Sequence, residues 1–241
     1  MPYAEAIHLA LVPDGFVSFH KLSHDHAYSA AILIRSDYSD LLCLDEVSCN
    51  HTEKATLTLS NFKLTLISSY MRPLTPVPRT FLTSALSQLN TNKDIIAIDS
   101  NAHNTVWNSA RTDEWGTIVE DSLLEHKFHL LNKLKDELTF VPRGTSFVDI
   151  TATKGDVEID NWQFLEKPSL SDHPYIYFKL VVPTSVANRQ SMKTQCPPLP
   201  RQLEVTKFRS DLRESLQLEL SGNAVILGIL GRLNVARSLV F

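Results

Sequence analysis

Four consecutive apolar residues, Ile95, Ile96, Ala97 and Ile98, lie between Asp94 and Asp99. A run this short, with no polar alternation, fits a strand buried on both faces. That requirement shapes the whole chain, because a sheet holding such a strand needs a packed layer on each side. A carboxylate, Asp99, and a carboxamide, Asn101, follow where the strand would run out into a loop. Residues two apart on an extended chain face the same way, so both groups can point into one cleft. Asp99 could accept a proton from water there, and Asn101 could donate a hydrogen bond to an oxyanion. The same pair also suits a turn, and alone the stretch favours that plainer reading.

Other segments supply the layers. Residues 28–35, 41–47, 54–59 and 62–69 are short apolar or alternating runs, separated by Ser36-Asp37, Cys49-Asn50-His51 and Ser60-Asn61. This is the pattern of consecutive antiparallel strands. Leu57, Leu59, Leu64 and Leu66 alternate with Thr56, Thr58, Lys63 and Thr65, which predicts one core face and one wet face. Residues 1–26 read as irregular, with a turn at Pro13-Asp14-Gly15. Beyond the prolines at 73, 76 and 78, the spacing of Phe81, Leu82, Ala85, Leu86 and Leu89 predicts a helix. A second helix is expected from an Asp113 N-cap, with a core stripe of Trp115, Ile118, Val119, Ser122, Leu123 and His126. Short strands are expected over 128–131, 138–141, 147–151, 158–166 and 175–182. The domain would thus span residues 1–182, followed by a Pro-rich linker over 183–204 and a C-terminal helix and tail over 205–241, with no element assigned to 221–241.

Composition narrows the function classes. The chain of 241 residues is 43% hydrophobic and 21% charged, as in an ordinary globular protein. A net charge of −4 gives no global pull toward phosphate backbones, although an acidic metal site can offset a local basic surface. Three cysteines without paired spacing suit a reducing compartment. No apolar run approaches the ~20 residues of a membrane-spanning helix. The N-terminus lacks the basic start of a signal peptide. An intracellular protein without a membrane partner is the expectation.

Several polar residues stand where chemistry is possible. Tyr70 ends a strand, where its hydroxyl could meet a phosphate or simply water. Asp149 lies inside an apolar strand, and a buried carboxylate needs a partner. Asp172-His173 precedes another strand; the pair can bind a metal and a phosphate oxygen, or form a turn with a satisfied histidine. His20, His24 and His26 cluster without the thiolate or carboxylate spacing that would complete a zinc site, and surface histidines are the plainer reading.

In combination these signals are specific. Asn101-Ala102-His103 with Trp107, the run through Leu123-Leu124, Leu131-Asn132 and Leu138-Thr139-Phe140, Ser146-Phe147-Val148-Asp149-Ile150-Thr151, and Ser171-Asp172-His173-Pro174 occur in order. Together they resemble the endonuclease/exonuclease/phosphatase superfamily, and within it the apurinic-type endonuclease domain of non-LTR retrotransposons. The resemblance covers about residues 1–182. It implies an α+β fold, a DNase I-like two-sheet β-sandwich flanked by helices. It also implies metal-dependent hydrolysis of a DNA phosphodiester, with Mg²⁺ as cofactor and Mn²⁺ as a substitute. In that scheme Asp99 activates or aligns the attacking water and Asn101 steadies it. His173 meets a phosphate oxygen, Asp149 orients the imidazole, Tyr70 contacts the scissile phosphate, and Asp172 helps hold the metal. Thr139, His103 and Ser146 would face DNA. The implied partners are DNA and a reverse transcriptase, separate or once fused; the nucleus would be the compartment for an enzyme acting on chromosomal DNA.

Two departures qualify the likeness. Pro2-Tyr3 matches the family, but Met1 stands where it carries a metal-binding Glu after an Asn-bearing strand, so the first strands are expected to be missing. A shortened descendant and an incomplete gene start both account for this. Ile98-Asp99-Ser100-Asn101 replaces the family's usual Gly-Asp-Phe-Asn, adding bulk before the Asp and removing an aromatic after it. An inactive remnant that binds nucleic acid or protein is therefore a competing expectation. A phosphatase of the same fold is less favoured, since residues 70–78 lack a basic cluster for a headgroup.

Overall fold

The computed structural model describes residues 14–19, 30–36, 42–44, 52–59, 62–71, 82–83, 86, 93–144, 146–167, 173–181, 224–233 and 236–240. Its strands are β1 (Phe16–Phe19), β2 (Ala30–Arg35), β3 (Leu42–Leu44), β4 (Thr52–Leu59), β5 (Phe62–Tyr70) and β6 (Asp94–Asp99), followed by a helix, α1 (Glu114–Glu125). Then come β7 (Phe128–Leu130), β8 (Asp149–Lys154), β9 (Ile159–Phe164), β10 (Ile176–Val181), β11 (Ala224–Leu233) and β12 (Ala236–Val240). They form two six-stranded sheets, ordered β1-β2-β12-β11-β10-β9 and β3-β4-β5-β6-β8-β7. The chain is a two-sheet sandwich with helix packed outside it. No helix among the described residues is long and apolar enough to cross a membrane.

The run at 95–98 sits at the centre of this arrangement. β6 is fully buried and paired on both edges, parallel to β5 and antiparallel to β8. Ile95 and Ala97 join the core between the sheets, with Ile32, Ile34, Leu64, Leu66, Trp162, Ile176 and Phe178. Ile96 and Ile98 face outward into a second core, with Ile67, Leu82, Leu86, Val119, Leu123 and Phe128. Burying each such isoleucine contributes about 1.5–3 kcal/mol, so both layers are needed to stabilise the strand. The outer layer is helical: Leu82 and Leu86 lie at helical positions and are buried, and α1 presents Val119, Ser122 and Leu123. Asp113 caps α1 as expected, its carboxylate accepting the Gly116 N–H at 2.7 Å.

Several expectations change. The wet face of the β4–β5 hairpin holds at Lys63 and partly at Thr58 but not toward Tyr70, where Lys54, Thr65 and Ser69 are buried. Ile67, on the same face, joins the outer core with Leu82, Leu86 and Val119, and alternation alone cannot report a second layer. Residues 16–19 are not irregular: they pair antiparallel with β2. Residues 138–141 form no strand; a 3₁₀ turn at Lys135–Glu137 breaks the extended chain before them. Asp149 begins β8 rather than lying inside it. Residues 224–240, assigned nothing from sequence, make a hairpin whose β11 pairs with β10 and whose β12 pairs in parallel with β2. The linker over 183–204, the amphipathic helix from Val205 to Leu216 and the histidines at 20, 24 and 26 lie outside the described residues.

Candidate active site

Adjacent strand ends bring two carboxylates together. Asp99 closes β6, Asp149 opens β8, and the two are partners in the ladder. The Ser100 N–H donates to the Val148 carbonyl at 3.0 Å, which makes Asp99 and Asp149 a non-hydrogen-bonded pair, the kind whose side chains approach most closely. Two buried carboxylates this close repel unless a donor or cation lies against both. His173, at the mouth of β10 on the opposite sheet, fills that role. Its Nδ1 lies 2.7 Å from Asp149 Oδ2, and its Nε2 lies 3.6 Å from Asp99 Oδ2. All three residues are buried, at 5%, 5% and 8% exposure. A carboxylate only accepts, so the Asp149 contact assigns the proton to Nδ1 and turns Nε2 toward Asp99 and the space beside it.

Tyr70 and Asn101 border this group. Tyr70 ends β5 directly beside Asp99 in the parallel register and is partly exposed. The Met71 N–H donates to the Asp99 carbonyl at 2.9 Å, and Asn101 Nδ2 donates to the Met71 carbonyl at 2.7 Å. The Asn101 backbone N–H reaches Asp99 Oδ1 at 3.3 Å. Asn101 is in the left-handed region, φ 47°, which asparagine tolerates better than most side chains. It thus closes the turn and, in doing so, holds Asp99.

The remaining sequence candidates fare differently. Asp172 lies outside the described residues. His103 is partly buried, and its carbonyl accepts the Asp113 N–H at 2.9 Å, tying the loop to the start of α1. Ser146 is exposed, and so is Thr139, whose hydroxyl donates to Gln163 Oε1 at 3.3 Å. These three stand on loops outside the buried group.

Four residues outside the predicted catalytic and binding set, Ser100, Ser109, Asn132 and Gly116, shape the site's frame. Ser100 is fully buried; its hydroxyl donates to the Val148 carbonyl at 2.6 Å and accepts the Ala102 N–H at 3.1 Å. The serine standing in place of an aromatic therefore exchanges packing for backbone hydrogen bonds. Ser109 Oγ reaches the carbonyls of Ser146 and Phe147 at 3.1 and 3.0 Å. Asn132 donates to the Asp149 carbonyl and accepts the Thr151 N–H, both at 2.8 Å. Gly116 lies against the His103 carbonyl, where a Cβ would come within 1.8 Å. A serine or an asparagine at a strand end is too common to single these out; only the pairing of distant segments does so.

Ligand atoms of Asp99, Asp149 and His173 lie within 4.8 Å of one another. Two carboxylates and an imidazole are groups that could hold a divalent cation, the imidazole only while Nε2 carries no proton.

Comparison with known proteins agrees with this geometry. Residues 64–177 match the family model described as endonuclease-reverse transcriptase. No curated protein matches the chain. The fold is similar to that of the endonuclease domain of TRAS1, a telomere-specific non-LTR retrotransposon, with 25% sequence identity and a TM-score of 0.57 over 70% of this chain and 81% of that one. Motif order, family match and fold converge: over residues 64–177 the chain is similar to the endonuclease-reverse transcriptase family, and its fold is similar to that of a non-LTR retrotransposon endonuclease domain.

Proposed function

We propose that this protein is a Mg²⁺-dependent DNA endonuclease that hydrolyses a phosphodiester and leaves a 3′-hydroxyl. A nuclease-like function follows from the family; the observation that carries the finer reading is the buried Asp149–His173–Asp99 relay. Asp149 fixes the imidazole and stabilises its protonated form, so that Nε2–H can donate to a non-bridging phosphate oxygen as negative charge builds there. Asp99, on the far side of Nε2, takes the proton of the attacking water. Tyr70, beside Asp99 at the end of the neighbouring strand, contacts the phosphate from the solvent side. Asp172, from the sequence motif, would help to hold the metal. When bound, Mg²⁺ neutralises charge on the phosphate and polarises it toward attack. Thr139, His103 and Ser146 face the DNA around this centre, and the 3′-hydroxyl product is the end a reverse transcriptase partner extends.

Nicking of supercoiled plasmid in millimolar Mg²⁺ tests the reading. Relaxed circles should accumulate with the parent protein and not with His173→Ala. Saturable metal binding without any nicking, in Mg²⁺ or Mn²⁺, would point instead to a nucleic-acid-binding remnant.

A further inference from the structure

Four consecutive carbonyls leading into the buried carboxylate of β8 are each held by a side chain from another segment. Ser109 Oγ lies 3.1 Å from the Ser146 carbonyl and 3.0 Å from that of Phe147. Ser100 holds the Val148 carbonyl twice, through its hydroxyl at 2.6 Å and its backbone N–H at 3.0 Å. Asn132 Nδ2 holds the Asp149 carbonyl at 2.8 Å, while its Oδ1 accepts the Thr151 N–H at 2.8 Å. The asparagine side chain thus extends the β7–β8 ladder past the end of β7, whose last backbone bond is Leu131 N–H to the Thr151 carbonyl at 2.9 Å.

The segment so held is one that would not keep its shape unaided. Phe147 has φ 51°, a left-handed conformation that an aromatic side chain rarely adopts and that persists only when its surroundings impose it. Its ring is packed edge-on against Phe164 and lies under Lys135 Nζ, so the ring and both flanking peptides are fixed. Two residues later Asp149 Oδ2 meets His173 Nδ1 at 2.7 Å. A charge-assisted bond of that length depends on where the backbone places the carboxylate.

We propose that Ser109, Ser100 and Asn132 are positioning residues: together they clamp residues 146–149 in their left-handed approach and set the Asp149–His173 contact. The proposal deepens the nuclease reading and rests on it for its kinetic consequence, but the clamp itself can be measured without turnover. None of the three reaches His173. Each acts on the backbone from a different segment: Ser100 at one carbonyl from the loop after β6, Ser109 at two from the loop before α1, and Asn132 at one from the end of β7.

The test uses the full chain and the variants Ser109→Ala, Ser100→Ala and Asn132→Asp. Each removes one donor to the clamped carbonyls at nearly constant volume, and Asn132→Asp keeps the acceptor for Thr151. Two readouts are taken on samples whose folding is checked by thermal melting. The first is the downfield proton resonance of His173 Nδ1–H, assigned by its disappearance in His173→Gln. It should shift or broaden in every clamp variant. The second is nicking, where kcat should fall roughly ten- to a hundredfold with KM nearly constant, as expected for small misplacement of a reacting group. Ser109→Thr, which restores a hydroxyl, should recover both readouts. If folded variants keep the resonance in place and kcat within about twofold of the parent, the clamp has no positioning role and the proposal is overturned. Losses that track only the folded fraction, in kcat and resonance intensity alike, would equally overturn it in favour of plain stability. Should Ser100→Ala fail to fold, the more peripheral Ser109 pair still decides. A parent that never nicks would sink the nuclease reading, while the His173 resonance would still judge the clamp.

Discussion

The floor of the site and the strip of chain beside it, residues 133–144, are built in opposite ways. On the floor, Asp99, Asp149 and His173 are buried, and the flanking backbone is tied by side chains from several segments. The strip has one 3₁₀ turn, capped when Glu137 Oε2 accepts the Leu134 N–H at 3.0 Å, and it leaves Leu134 and Val141 about half exposed. It carries Lys133, Lys135 and Arg143 against Asp136 and Glu137, a small positive excess at the surface, while the floor holds the two buried acids and the histidine. Electrostatics explains the division. Groups that act on developing charge work best where water is excluded and geometry is fixed; groups that meet a polyanion's backbone work from the surface through long, adjustable side chains. The strip is nevertheless anchored to the floor, because Lys135 Nζ sits 4.9 Å above the Phe147 ring and Asn108 Nδ2 donates to the Lys133 carbonyl at 2.7 Å.

The comparison is sharpened most by removing the floor's histidine. His173→Ala should lower plasmid nicking by roughly a thousandfold or more, within the range for loss of a general acid–base group. Because Asp149 acts through the imidazole, Asp149→Asn should cost no more, and the double variant should be about as slow as the single one. Initial nicking rates with all three proteins check this. Full additivity would mean that the two residues do not work as a unit. Asp99→Asn keeps the side chain's shape and removes its charge; nicking should fall about a hundredfold or more, with folding retained.

Next in size is a change to the frame behind the floor. In Gly116→Ala the new Cβ would come within 1.8 Å of the His103 carbonyl oxygen and 2.6 Å of its carbon, both backbone atoms. Such overpacking should cost about 1–3 kcal/mol, read as a lower urea midpoint at unchanged slope. Because His103 is joined through Asn104, Ala102 and Ser100 to the clamp, nicking should also slow in the folded fraction. A variant as stable as the parent would show that the loop has more freedom than its hydrogen bonds indicate.

How much of this could be read in the chain beforehand depends on the range of the interaction. The buried run at 95–98, the Asp113 cap and strands β2, β4, β5, β9 and β10 follow from local patterning, and the structure has them close to where periodicity puts them. The convergence of Asp99, Asp149 and His173 could be inferred only through family likeness, since 50 residues separate the first two and no local rule pairs them. Three things were beyond local reasoning. The burial of Lys54 and Thr65 comes from tertiary packing that strand alternation does not report, as does that of Ile67 on the same face, which joins the outer core with Leu82, Leu86 and Val119. The strands at 224–240 gain their meaning from the open edges of β2 and β10, which only the assembled sheet reveals. The clamp on residues 146–149 joins three segments through side chain to backbone contacts, and such contacts leave no periodic trace.

The smallest effects belong to the strip, and they separate recognition from chemistry. Thr139 is exposed, and its one described partner is the Gln163 side chain at 3.3 Å. Thr139→Ala should therefore leave stability within about 0.5 kcal/mol of the parent, as for most surface changes. If the strip meets DNA, the loss should appear as a few-fold rise in KM with kcat unchanged, the mark of binding that is equal in ground and transition states. Lys135→Ala removes a charge as well, so its KM should rise further at low salt and converge on the parent's as salt increases. Its kcat is the sensitive quantity, since the ammonium also covers the Phe147 ring. A fall in kcat at every salt concentration would show that the strip helps to hold the floor, and the two regions would then be mechanically one.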